Sequence, residues 1–176
     1  MPGLLSESIQ IAKAALGLLD EVPTPRGESP ESFIADYIAE REGLIKEAKV
    51  PTKGDVLTIG YGHTGDVKRG QTITKEDAKK LLQKDIQTRT SEITRAIPMF
   101  GNLPVEIQAP LMSEWFRGSL VQSRKTRKLL NEGLYDQAAR EFLNNQEYKN
   151  AVKRGRRGIR KRMEETAQAI RNIGIM

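Results

Sequence analysis

Residues 58–64 read Thr-Ile-Gly-Tyr-Gly-His-Thr, and the preceding residues 49–55 are rich in turn formers. The β-type run after a turn predicts a small hairpin region. In an extended strand alternate side chains share a face, so Thr58, Gly60 and Gly62 lie together on a nearly bare face. Glycine weakens a strand interior, so this face indicates either a close approach to the backbone, with Gly60 and Gly62 as substrate-binding residues, or bulges in a structural hairpin.

Upstream of this run, residues 32–41 show apolar spacing typical of a helix, and Gly43 is a plausible stop signal. Glu42 is therefore expected at the carboxyl end of a helix. The negative end of a helix dipole disfavours the ionised form of a carboxylate, as a general acid requires. A solvated glutamate beside a helix stop is the alternative interpretation of Glu42.

Downstream of the run the sequence is helical. Apolar periodicity and helix-breaking Pro and Gly residues predict a long helix at 74–97 and a helix from Pro104 to Gly118 with a kink at Pro110. Further helices are predicted at 123–131, 134–143 and 154–171. The fold class is thus α+β, mainly α, with a small β element next to a helical lobe. A cleft between the two lobes would place Glu42 and the strand on one wall.

The first 31 residues form a separate N-terminal unit. Residues 4–19 carry apolar side chains at helical spacing, and residues 21–30 contain three prolines and a glycine, which indicates a linker. We therefore divide the chain into an extension, residues 1–31, and a domain, residues 32–176. The extension either packs on the domain or docks on a partner protein or membrane surface. Its start lacks the positive n-region of a secretory signal.

Composition narrows the chemistry. The chain has 176 residues, no cysteine and one histidine, which excludes thiol nucleophiles, disulfides and zinc sites built from several Cys or His ligands. We expect no metal and no cofactor, which leaves carboxylate chemistry. No apolar stretch approaches the roughly 20 residues of a membrane-spanning helix. The net charge of +6 favours a polyanionic partner.

The order and spacing of these motifs resemble phage-type lysozymes. Glu42-Gly43-Leu44, then fifteen residues between Glu42 and Thr58, then residues 58–64 and the helix cap at 73–78 carry the likeness. It covers roughly residues 33–165. The resemblance implies a two-lobed lysozyme-like fold and a muramidase that hydrolyses the β-1,4 bond between N-acetylmuramic acid and N-acetylglucosamine in peptidoglycan. It also implies Glu42 as the proton donor and Thr58 as the family's catalytic threonine.

One member of the family's catalytic set does not match. The family places an aspartate between the glutamate and the threonine, and its spacing falls here on Pro51 or Thr52. Asp55 is the nearest carboxylate, and a turn or bulge could aim it at the cleft in place of the family aspartate. If it cannot reach, Glu42 acts alone and forms an anhydro product, as lytic transglycosylases do.

Further site residues follow from the same resemblance. His63 should be a structural histidine paired with a carboxylate. Arg154 is placed as the arginine that pairs with the catalytic glutamate across the cleft, with Arg156 and Arg157 as competitors. The aromatic pair Trp115 and Phe116 replaces a cleft-lining amide, and it either stacks on a sugar or belongs to the core.

Residues 149–162 concentrate basic side chains, for which nucleic-acid binding is the rival explanation. We do not expect nucleic acid as the partner, because no recognition motif or aromatic interleaving accompanies the charge. A rival from another class is a virion or tail structural protein that binds glycan without turnover. We expect the enzyme to act in a phage tail, or from the infected host's cytoplasm on the wall, and its N-terminal helix could attach it to virion proteins.

Overall fold

The computed structural model describes residues 29–51 and 53–176, and this part of the chain is α+β and mainly helical, as predicted. The predicted helix at 4–19 and the linker before residue 29 lie outside the described residues, so the proposed division at residue 31 stays a prediction. The elements in chain order are α1 (Pro30–Ala39), β1 (Ile45–Lys49), β2 (Thr58–Gly60), α2 (Lys75–Ala96), a 3-10 turn (Phe100–Asn102), α3 (Val105–Phe116), α4 (Ser119–Gln122), α5 (Arg124–Asn131), α6 (Tyr135–Leu143), α7 (Gln146–Lys153) and α8 (Arg157–Ile173).

Helix α1 begins at a side-chain cap. The hydroxyl of Ser29 accepts a hydrogen bond from the backbone N–H of Ser32 at 3.2 Å, and Pro30 occupies the first turn, where it costs no hydrogen bond. Ile34 and Ile38 are buried on one face of the helix. The helix ends at Ala39, earlier than Gly43 suggested, and the chain turns through residues 40–43 into β1.

The hairpin predicted from the turn-rich segment is present. Strands β1 and β2 pair antiparallel, with Ile45 opposite Gly60 and Lys49 opposite Thr58, and the register is irregular between these two pairs. Residues 71–73 run along the other side of β1, where the N–H of Ala48 donates to the carbonyl of Gln71 at 2.9 Å. The strand is shorter than residues 56–63, because the chain reverses direction after β2.

The long helix α2 connects the sheet to the helical lobe. Its 22 residues span about 33 Å. The predicted cap is confirmed, since the Thr74 hydroxyl accepts from the N–H of Asp77 at 3.1 Å. The predicted apolar stripe is also confirmed, because Leu82, Ile86 and Ile93 are buried along its length.

The helical lobe is built around α3. Residues 109–115 of this helix are all buried, and α1, α2, α4 and α8 pack against it. Helix α8 in turn packs on α6 and α7 and buries Met163, Ala167 and Ile170. Among the described residues, no helix combines the length and the apolar character that a bilayer span requires.

The basic segment differs from its prediction. The helix predicted from residue 154 begins three residues later, at Arg157, and the helix that precedes it, α7 (Gln146–Lys153), was not predicted. Gly155 adopts a φ of +64° at the junction, a conformation that glycine takes without steric cost. Asn145 caps α7 by accepting from the N–H of Tyr148 at 2.8 Å. The sequence also gave no indication of the four-residue helix α4.

A charged cluster around one buried carboxylate lies where α3, α4 and α7 meet. The side chain of Glu114 is 0% exposed and accepts two hydrogen bonds from Arg117, at 3.0 and 3.2 Å. Arg117 also pairs with Glu147, and the Ser119 hydroxyl donates to Glu114. Burial alone would lower the pKa of Arg117, but Glu114 and Glu147 together raise it above its ordinary value. The cluster is therefore a charged network, with the cation at its centre.

Replacing Arg117 by methionine should destabilise the protein by about 3 to 5 kcal/mol, because it leaves the carboxylate of Glu114 buried without its counter-ion. Urea unfolding followed by circular dichroism measures the loss. The double variant Glu114→Gln/Arg117→Met removes both charges and should recover a large part of the stability. A double variant as unstable as the single one would show that the charge pairing is not the cause.

Candidate active site

Glu42 lies in the turn between α1 and β1. Its backbone N–H donates to the carbonyl of Ile38 at 2.9 Å, which keeps the residue attached to the last turn of α1. Its side chain is 33% exposed, and its Oε1 accepts a hydrogen bond from Nη2 of Arg162 at 2.8 Å. The predicted proton donor is thus accessible to solvent on one side and fixed by a cation on the other.

The arginine that pairs with Glu42 is Arg162, and the assignment of Arg154 was wrong. Arg154 caps the end of α7 and is exposed, and Arg156 and Arg157 are exposed as well. The reason is the break at Gly155, which leaves these three residues at the junction of two helices. Arg162 lies within α8, only 13% of its side chain is exposed, and it faces the end of α1.

A second ion pair lies next to the first. Nη2 of Arg41 is 3.2 Å from Oε2 of Glu165. The adjacent residues Arg41 and Glu42 thus pair with Glu165 and Arg162, which lie three residues apart on α8. The two pairs have opposite polarity. Sequence analysis missed Arg41 and Glu165. The available signal was the same order of charge, basic before acidic, at 41–42 and at 162 and 165. Residues 162 and 165 lie on one face of a helix.

Tyr37 fixes the position of Arg41. The guanidinium carbon of Arg41 lies 3.5 Å from the centroid of the Tyr37 ring, and Nη1 donates to the Tyr37 carbonyl at 3.0 Å. Burial raises the pKa of the Tyr37 hydroxyl to about 12, so the ring stays neutral across the physiological range. The stacked arginine therefore has one well-defined orientation toward Glu165.

Thr58 is buried at the start of β2. Only 6% of the residue is exposed, and its hydroxyl donates to the carbonyl of Val56 at 2.9 Å. The donated proton leaves the oxygen lone pairs free to accept a hydrogen bond from a water or a sugar hydroxyl. Thr58 pairs with Lys49 across the hairpin, at the end of β1 farther along the chain from Glu42.

Asp55 lies in the hairpin loop, residues 50–57, and is exposed. No described residue forms an ion pair with its carboxylate. The bare turn at Gly54 has a φ of +96°, which supplies the irregular backbone that a re-aimed Asp55 would need. Its catalytic role stays a prediction.

The two strand glycines differ in their surroundings. Gly60 has a φ of +64°, and a Cβ placed there would lie 3.5 Å from the Cβ of Ala78. The neighbour that approaches this backbone is helix α2, so the predicted sugar contact at Gly60 is corrected to a helix contact. Gly62 is exposed, has a φ of +102° and faces open space, so its substrate-binding role stays a prediction.

His63 has the structural role predicted for it. Its Nδ1 lies 2.9 Å from each carboxylate oxygen of Asp85 on α2, and its Nε2 lies 2.8 Å from the carbonyl of Gly65. The backbone of His63 also closes the reversal after β2, since Ile59 and His63 exchange both hydrogen bonds. This residue attaches the hairpin region to α2.

The aromatic pair belongs to the helical lobe. Trp115 is 6% exposed and lies in the hydrophobic core, so the prediction that it binds a sugar is wrong. Phe116 is half-buried, packs against that core and has the guanidinium of Arg89 over its ring at 4.8 Å. Trp115 is therefore closed to a sugar, and the substrate-binding role of Phe116 stays a prediction. Among the described residues, no group of three or more His, Asp or Glu side chains could hold a metal ion.

Exchanging the charges of the second pair tests whether it positions Glu42. Arg41→Glu and Glu165→Arg should each lower the thermal midpoint and the catalytic rate, because each places like charges together. The double variant Arg41→Glu/Glu165→Arg restores opposite charges and should recover a large part of both quantities. Glu40→Gln is the matched control, because Glu40 is 78% exposed and its carboxylate is 3.8 Å from Arg41. Additive losses in the double variant would contradict a positioning pair.

Comparison with known proteins identifies the family of this chain. The family model described as phage lysozyme matches residues 39–166, which include Glu42, Thr58, Arg162 and Glu165. A SAR-endolysin of Enterobacteria phage PA-2 is 36% identical over 75 residues. This match covers 41% of the present chain and 44% of the relative, so the chain matches less than half the length of that curated relative.

Proposed function

Because the chain belongs to the phage lysozyme family, we propose that it degrades peptidoglycan as a muramidase, with Glu42 as the general acid. The bond cleaved is the β-1,4 linkage between N-acetylmuramic acid and N-acetylglucosamine. The observation that carries the proposal is the partly exposed carboxyl of Glu42, held by Arg162 at 2.8 Å. A cation at this position stabilises the carboxylate that remains once the proton has left.

The contacts of the Glu42 carboxyl group assign different roles to its two oxygens. Oε1 accepts from Arg162, whereas Oε2 forms no hydrogen bond with a described residue. We assign the transferred proton to Oε2. Glu42 donates it to the glycosidic oxygen as the bond between that oxygen and the anomeric carbon breaks. The ring that contains this anomeric carbon develops oxocarbenium character. Arg162 keeps the carboxylate in place for this step.

Hydrolysis also requires a water that attacks the anomeric carbon as the leaving oxygen is protonated. The lone pairs of the Thr58 hydroxyl can accept a hydrogen bond from this water, and Asp55 is the carboxylate available to take its proton. In inverting glycosidases the two carboxyl groups lie roughly 6.5 to 9.5 Å apart, which leaves space for the water. The hairpin loop would have to bring Asp55 to that distance from Glu42 when a glycan is bound.

The exposed position of Asp55 favours one alternative, a lytic transglycosylase that uses Glu42 alone. There, Glu42 protonates the leaving oxygen and then accepts a proton from the hydroxyl of the sugar itself, which closes the anhydro ring. The two products differ by one water. The similarity to the SAR-endolysin of phage PA-2 supports an endolysin role, whereas a virion role through residues 1–31 rests only on the sequence pattern.

Glu42→Gln should reduce the rate of peptidoglycan cleavage by about 100-fold or more, because the amide cannot donate the proton. The loss of turbidity of purified cell walls measures this rate. Glu47→Gln is the matched control, since Glu47 is an exposed glutamate in β1, and it should retain the wild-type rate. If wild type and Glu42→Gln bind walls equally and neither cleaves them, the chain is a glycan-binding protein without turnover.

Asp55→Asn separates the two mechanisms. If Asp55 activates the water, its amide variant should lose about 10-fold to 1,000-fold in rate, and wild-type fragments should have the mass of hydrolysed muropeptides. Mass spectrometry of the fragments provides the second measurement. An unchanged rate in Asp55→Asn, together with fragments lighter by one water, would establish the transglycosylase reaction instead.

A further inference from the structure

The positive charge of this chain comes from one short segment. Residues 149–162 contain eight basic residues and no acidic one, whereas the rest of the chain contains 21 basic and 23 acidic residues. The net charge of +6 therefore reflects this segment alone. A local concentration of charge directs a polyanion to one place on a surface.

Five of these side chains form an exposed cluster at the junction of α7 and α8, which we call the basic corner: Lys149, Lys153, Arg154, Arg156 and Arg157. No described acidic residue forms an ion pair with any of them. The other three basic residues of the segment are engaged, since Arg160 pairs with Glu164, Lys161 with Glu165 and Arg162 with Glu42. The corner is thus the part of the segment whose charge is available to a partner.

The basic corner includes the first residue of the helix that holds Glu42. Arg157 begins α8, and Arg162, which holds Glu42, follows five residues later, about 7.5 Å along the helix axis. An open pocket of about 480 Å³ lies between the end of α1 and the first turns of α8, and Arg41, Gly158, Ile159 and Arg162 are among its lining residues. A polymer bound at Glu42 can therefore extend toward the corner.

We propose that the basic corner is a secondary binding site for the carboxylates on the peptide stems of peptidoglycan. The inference rests on the proposed function and names the substrate class, which is a glycan strand that still carries acidic peptides. Each contact between an exposed lysine or arginine and a carboxylate is weak. A polymer presents the carboxylate repeatedly, and several weak contacts on one chain add up to a large gain in affinity.

Two other polyanions fit the corner less well. Base stacking by single-stranded nucleic acid uses aromatic side chains. Tyr148 is the only aromatic residue in the segment 148–162, and it packs against the core and donates its hydroxyl to Glu164 at 2.7 Å. A membrane-binding surface combines basic residues with an apolar face that enters the bilayer. Here Val152, 46% exposed, is the one large exposed apolar side chain among residues 148–162.

The test compares a variant of the corner with a variant of equal charge. The first variant replaces all five corner residues by glutamine. The control variant replaces five exposed basic residues elsewhere by glutamine, and these are Lys68, Lys75, Lys84, Arg95 and Arg124. Cleavage rates are measured on intact cell walls and on glycan strands from which an amidase has removed the peptides. A third substrate is cell wall whose carboxyl groups have been converted to amides.

At low salt the corner variant should lose about 10-fold or more in kcat/KM on intact walls, through a higher KM, and little on stripped or amidated substrate. The control variant should keep the wild-type value on all three. Equal losses of the two variants on intact walls, losses of the corner variant on every substrate, or no loss at all would overturn the proposal. Loss of binding to anionic lipid vesicles or DNA, with unchanged wall cleavage, would also overturn it.

Failure of the proposed function can be distinguished from failure of this inference. If the wild type cleaves neither intact nor stripped strands, muramidase activity is absent whatever the corner binds. Cosedimentation with intact and amidated walls then still measures how strongly the basic corner binds them. Retention of wild type on intact walls, with release of the corner variant, supports the proposal, and equal retention of both variants contradicts it.

Discussion

The attachment of α8 to the end of α1 by two ion pairs of opposite polarity is the constraint on which the site depends. Glu42 and Arg41 follow a short helix and precede a small hairpin, so the local chain alone does not fix them. Arg162 and Glu165 belong to a helix whose opposite face is buried against α3, α6 and α7. The core of the helical lobe thus determines the orientation of the Glu42 carboxyl group at the end of α1.

The hairpin is fixed to the rest of the protein by different means on each side. Gly60 allows α2 to approach the strand, with Ala78 as the contacting residue, and His63 bonds to Asp85 farther along the same helix. A single helix therefore carries the strand that contains Thr58, and the helix continues into the core of the helical lobe. The described residues of the loop that contains Asp55 form no hydrogen bond or ion pair with α2.

Much of the fold could be predicted because the relevant signals are local. The cap at Thr74 and the apolar spacing of α2 are visible in a few consecutive residues, and so is the turn-rich segment before β2. The prediction failed where a long-range contact decides the outcome. Nothing near Gly60 indicates that a helix, and not a ligand, covers it, and nothing near Trp115 distinguishes a core aromatic from a sugar platform. The observed partner of Glu42, Arg162, lies eight residues after the predicted one, Arg154, because Gly155 ends one helix and Arg162 belongs to the next.

The separation of Glu42 from its cation along the chain has a consequence for folding. The two residues are 120 positions apart, and the closure of so long a loop costs conformational entropy before the contact can form. The contact between Glu42 and Arg162 therefore forms only after the intervening helices have assembled and α8 has docked. A partially folded or still growing chain would carry the glutamate without its arginine, so catalytic competence would be among the last properties the molecule acquires.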